Sequence, residues 1–181
     1  YFLNMIKYGT HSDYVHIGMI VKDPDFLENP LKGLYLWESS WEGTPDPQDN
    51  KTKLGVQITP IKQILTDHSK TNNGKIYIRQ IQCNPELFSN ENLSNIHKVV
   101  YNKVYDIEIQ DWVEALVKKD PFPQKTDRFW CSALVGYIYT KCGILNKDTD
   151  WSILRPSDFS EKQQNLQFTN ENINLGTQVY V

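Results

Sequence analysis

Cysteine is scarce in this chain: 181 residues hold three, Cys83, Cys131 and Cys142. An odd number cannot pair completely, which argues against a disulfide-stapled secreted scaffold and for a reducing compartment. No C-x-x-C or H-E-x-x-H spacing accompanies them, so the pattern gives no zinc site, and no metal or other cofactor is expected. Long apolar runs are missing too. "HIGMIV" falls far short of the roughly 20 residues a membrane-spanning helix needs. Nor is there a Lys/Arg block: 19 basic residues stand against 22 acidic ones, for a net charge of −3, without the electrostatic footprint of a nucleic-acid binder.

What is present suits a folded protein. Hydrophobic residues at 39% and charged residues at 23% suffice for one globular domain spanning 1–181, with no internal repeat or linker. "YVHIGMIV" (14–21) is rich in β-branched and aromatic residues and stops at the turn signal "KDPD", which predicts a strand. "GLYLWESS" (33–40), "LGVQITPI" (54–61) and "GKIYIRQIQC" (74–83) predict three more. The polar, proline-bearing stretch 42–53 reads as a long loop able to cover a site and to govern access by moving. His68 falls in what reads as a second loop. After Pro85 the period becomes helical, in "ENLSNIHKVVYNKVY" (91–105) and "IQDWVEALVKK" (109–119). The closing "TQVYV" (177–181) can return as a strand. Strands followed by helices predict an α+β fold.

In "TDRFWCSALVGYIYTKCGIL" (126–145) apolar residues recur at Leu134, Val135, Ile138 and Cys142, the spacing of a buried helical face. Thr126 or Asp127 is the expected cap and Gly143 the expected end. Cys131 then lies in the first turn, where unpaired backbone N–H groups lower a thiol's pKa. Cys142 reads as packing. A nucleophilic thiol also needs a base and a group to orient it. Of four histidines, His11, His68 and His97 sit in polar or helical surroundings. His16 sits within a strand, with Gly18 leaving room on the same face. Glu38 interrupts the apolar run "LYLWE", where a buried carboxylate requires a partner. Glu42 reads instead as the exposed end of that strand. Cys131, His16 and Glu38 are therefore the candidate nucleophile, base and orienting residue. Trp37, Trp41, Trp130 and Trp151 fit either an apolar groove or an ordinary core.

"YVHIGMIV", "LYLWES" and "FWCSALVGYIY", in that order, resemble the circularly permuted NlpC-type papain-like cysteine hydrolases. More narrowly they resemble the YiiX/YaeF-like group, which includes poxviral and other large-DNA-virus members. "VQITPIKQIL" and "LRPSDF" extend the likeness to about residues 10–159. The family's Gly-Asp-bearing first strand has no counterpart in "YFLNMIKYG". The resemblance implies a permuted papain-like fold, with a small antiparallel, barrel-like sheet and helices packed against it. It implies a thiol amidase or peptidase acting through an acyl-enzyme on Cys131, with His16 as base and Glu38 orienting it. A lipid acyl hydrolase or acyltransferase, and a catalytically silent virion or interaction module, are the alternatives. The expected substrate is a peptide, amide or lipid acyl group, and the expected setting a host cytoplasm or a virion. Tyr14 and Trp130 are the expected oxyanion-binding or substrate-lining residues, beside the Cys131 N–H.

Overall fold

The computed structural model describes residues 13–71, 74–105, 126–163 and 165–181. The predicted helix at 109–119 lies outside them. Strand β1 (Met19–Lys22) is followed by β2 (Leu34–Trp41) and β3 (Leu54–Pro60), and β3 runs directly into helix α1 (Ile61–Thr71). Two short strands follow, β4 (Tyr77–Ile78) and β5 (Ile81–Gln82), and then α2 (Asn90–Val100). Strands β6 (Val104–Tyr105) and β7 (Arg128–Phe129) lead to α3 (Cys131–Lys141), and the chain ends with β8 (Asn174–Leu175) and β9 (Val179–Tyr180).

The fold is α+β. Five strands form one curled sheet in the order β1-β2-β3-β6-β7. Pairing is antiparallel from β1 to β6, but β6 and β7 run parallel, so the expectation of a wholly antiparallel sheet needs correcting. Alternation along β2 and β3 sorts the side chains. Trp37, Val56 and Ile58 are fully buried on one face, and α2 covers it, with the His97 ring 5.9 Å from that of Trp37. Ser39 shares that face, and its hydroxyl donates to the Phe129 carbonyl at 2.6 Å, which fixes β7 against β2. Gly55 (φ +149°) admits β6: a Cβ there would stand 2.2 Å from the Lys103 carbonyl oxygen.

Helix α3 was expected to bury one face. Every residue from Cys131 to Tyr139 is buried, so it is a central helix enclosed on all sides. Gly143 (φ +74°) follows its last residues in the left-handed conformation that ends helices. Two sequence expectations fail in the 61–83 region. His68 lies in the last turn of α1, not in a loop. The strand predicted over 74–83 is two short pieces, because Arg79 turns away to donate to the carbonyls of Phe159, Leu175 and Gly176. The pieces pair with β9 and β8, which brings the chain's end back to this edge.

Candidate active site

The site forms where the stretch leading into β1 crosses β2 at the start of α3. The strand predicted over 14–21 begins only at Met19, so His16 lies on the approach to it and not within it. Met19 pairs with Trp37 and Ile20 with Leu36, and continuing that register past the strand's end puts Gly18 beside Glu38 and carries His16 toward Ser40. Gly18 is required there, because a Cβ would lie 2.8 Å from Leu36 Cγ and 3.1 Å from Glu38 Cβ. With this contact allowed, His16 Nε2 donates to Glu38 Oε2 at 2.7 Å. Glu38 is fully buried within the sheet, whereas the His16 side chain keeps 34% of its surface exposed. One end of the ring is thus fixed while the ring still reaches the surface.

The Cys131 thiol hydrogen-bonds the same imidazole. Nε2 is committed to Glu38, which leaves Nδ1 as the ring nitrogen open to the sulfur. The backbone N–H groups of Ile17 and Ser132 also point to Cys131. Burial pushes the thiol's pKa up, but the hydrogen bond and charge of His16, with those two N–H groups, outweigh it and bring the thiol below its ordinary value. Burial likewise opposes charge on His16. The hydrogen bonds to Cys131 and Glu38 overcome it, holding the imidazole well above 6.5. The two shifts together favour a thiolate–imidazolium pair.

Neither Thr126 nor Asp127 caps α3, which corrects the expectation. The cap position is Trp130, with no side-chain hydrogen bond, and Asp127 instead meets Arg128 at 3.5 Å. The first turn of α3 therefore leaves the Ser132 N–H for the sulfur. Ser132 anchors that turn by donating to the Leu154 carbonyl at 2.7 Å.

The other named residues divide between site and core. The Tyr14 hydroxyl is engaged with the Gln178 side-chain amide at 3.1–3.2 Å. Trp130 is 8% exposed, and its indole N–H has no hydrogen-bond partner among the described residues. Trp37 and Trp151 are core residues, and Trp41 is 60% exposed. An apolar depression lined by Leu34, Ile61 and Leu65 lies beside α1 and includes none of Cys131, His16 and Glu38.

The 42–53 loop is not the loosely held cover expected of it. Asp46, 1% exposed, pairs with Lys53 Nζ at 2.9 Å and accepts from the Gln48 side chain at 2.7 Å and the Ile58 N–H at 3.3 Å. Lys53 also meets Asp49 at 3.0 Å, which accepts from the Tyr101 hydroxyl at 2.9 Å. His97 Nε2 donates to Gln48 at 2.7 Å. These bonds pin the loop to β3 and α2.

Glu42 was read as a solvated strand end, yet it is half-buried and accepts a hydrogen bond from the Ser40 hydroxyl. The signal for it was the spacing Glu38, Ser40, Glu42, every second residue along the strand and just past its end. Cys142 is buried and its thiol is pushed up to about 12, first by burial and then by nearby Cys83, as suits a packing residue. Among the described residues no group of His, Cys, Asp or Glu is arranged to hold a metal ion, and no helix is long and apolar enough to cross a membrane. Comparison of the chain with protein families, curated proteins and solved structures gives no match.

Proposed function

We propose that this protein is a cysteine hydrolase of acyl bonds, an amidase or peptidase of permuted papain-like type. One observation carries the reading: a single imidazole, buttressed by a fully buried carboxylate, hydrogen-bonds a thiol at the uncapped start of a helix. Cys131 as thiolate attacks the substrate carbonyl carbon, and the C=O electron pair moves onto oxygen. The Cys131 N–H at the start of α3 is the oxyanion donor. The His16 imidazolium then gives its proton to the leaving nitrogen, the C–N bond breaks, and a thioester to Cys131 remains. A water molecule, deprotonated by the now neutral His16, attacks the thioester; the acid departs and the thiolate–imidazolium pair returns. Glu38 keeps Nδ1 aimed at sulfur and favours the protonated ring. The order His16, Glu38, Cys131 along the chain is the reverse of cysteine-first enzymes, as the sequence resemblance implies.

The reading is tested by trapping the intermediate. Activated amide and ester substrates are mixed with the full chain, and the intact mass is followed. Acyl adducts on Cys131 that decay with product release, and that are absent from Cys131→Ala, are expected. Turnover retained by Cys131→Ala would overturn the proposal.

A further inference from the structure

Glu38 and Ser40 are alternate residues of β2 and project from one face, and Glu42 follows two residues after Ser40, just past the strand's last residue, Trp41. Ser40 stands between the two carboxylates and donates its hydroxyl hydrogen to Glu42 Oε1. This bond turns Glu42 back toward the sheet, where it is half-buried, and away from the solvent its strand-end position would allow. The charged groups facing Glu42 are Glu38 on β2, His16 on the approach to β1 and Asp67 on α1. Those facing His16 are Cys131 at the start of α3 and Glu38, with Glu42 adding a further charge interaction. Glu38 spends one oxygen on His16, and its other, Oε1, is buried without a hydrogen-bond partner among the described residues. Glu42, an acid outside the proposed machinery whose charge interacts with both Glu38 and His16, is therefore placed by a specific bond.

We propose that Glu42 is a positioning residue of the site: held by Ser40, its carboxylate supplies a second negative charge that keeps the proton on His16. The inference rests on the proposed Cys131–His16 chemistry and adds to it the group that sets its alkaline limit. The sign follows from the charges. An anion near an imidazole favours the imidazolium, so the thiolate–imidazolium pair persists to higher pH than Glu38 alone would allow. Burial and the charge of Glu38 hold the Glu42 carboxyl above its usual range, and the Ser40 hydrogen bond and His16 partly oppose them. The support therefore engages only as solution leaves the acid range, and it acts at the alkaline end, where His16 loses its proton.

The test is a titration of the His16 ring by NMR on the full chain with labelled histidine, beside the pH profile of kcat/KM. Glu42→Gln keeps the shape and removes the charge, Glu42→Asp restores the charge, and Glu86→Gln is a remote exposed control. The expected result is a lower His16 midpoint in Glu42→Gln, with the alkaline limb of the profile moved down alongside it. Glu42→Asp should recover toward wild type, and Glu86→Gln should match it. If Glu42→Gln does not fold, Ser40→Ala, which releases the carboxylate, must lower the midpoint in the same direction. An unmoved midpoint and alkaline limb in a folded Glu42→Gln enzyme that still hydrolyses substrate overturns this inference alone. Absence of any Cys131-dependent hydrolysis in the wild type is a failure of the enzymatic reading instead.

Discussion

Gly18, just before β1, packs directly on Glu38 of β2: a Cβ on Gly18 would stand only 3.1 Å from Glu38 Cβ, with Leu36 Cγ closer still at 2.8 Å. The same contact lets His16, two residues earlier on that face, meet the Glu38 carboxylate. Gly18→Ala should therefore push Glu38 out of line as well as crowd the sheet. Overpacking of this kind costs about 1–3 kcal/mol. Turnover should fall further than that loss explains, because at a temperature where both proteins are folded the His16–Glu38 bond is still displaced. Urea denaturation and kcat/KM on the same samples separate the two effects.

Replacements of the three proposed catalytic residues should rank by role. Cys131→Ala should abolish turnover and leave the melting temperature nearly unchanged. His16→Ala should lose about 10²–10⁴-fold, the usual contribution of a positioned acid–base group. Glu38→Gln should fall between His16→Ala and wild type, since the amide can still hold the ring but no longer favours its charged form. Cys142→Ala should do the reverse of Cys131→Ala, lowering the melting temperature while leaving kcat intact.

The loop at 42–53 depends on Asp46. Asp46→Ala leaves Lys53 without its nearest partner in a nearly dry position and frees the Ile58 and Gln48 donors. Breaking a buried ion pair costs about 3–5 kcal/mol where the remaining charge is left unpaired, and the loss here should be smaller because Asp49 stays 3.0 Å from Lys53. Limited proteolysis should then cut within 42–53 in the variant while sparing the wild type, and equilibrium unfolding should show the loss.

Much of the site was legible because burial of polar groups leaves local traces. Glu38 stands out in an apolar strand, Cys131 opens an apolar helix, and Gly18 marks a close approach beside His16. What escaped was long-range. Arg79 breaks the 74–83 strand only because the carbonyls of Phe159, Leu175 and Gly176, some eighty or more residues away, take its guanidinium. Helix α1 follows β3 with no intervening turn residues, so the strand predicted over 54–61 takes in Ile61 and the helix after it goes unread, although Ile61, Ile64 and Leu65 carry helical spacing. Glu42 looked solvated because it opens the polar stretch 42–53 at the end of a strand; the Ser40 bond decides otherwise.

Stability at acid pH should carry the mark of His97. The ring is 8% exposed and packed among Phe26, Trp37 and Tyr101; burial holds it below 6.5, with Lys53 adding to the effect and Asp46 opposing it. The unfolded chain binds a proton that the folded chain refuses. Its contribution is thus fully present above about pH 6.5 and is lost as pH falls through the unfolded value toward the folded one. Denaturation midpoints between pH 4.5 and 7.5 should decline toward acid in the wild type. The decline should be shallower in His97→Gln, whatever that variant's overall stability.

The pairing of Cys131 with His16 is tested most directly by mapping alkylation of the native protein with iodoacetamide at pH 6.5. Burial holds both Cys83 and Cys142 above their ordinary values, whereas Cys131 is held below its own by His16 and the Ile17 and Ser132 N–H groups. Only the thiolate reacts. The expected result is modification of Cys131 first, with Cys83 and Cys142 protected, and loss of that preference in His16→Ala. Modification of Cys131 no faster than Cys83, or a rate untouched by removing the imidazole, would contradict the account.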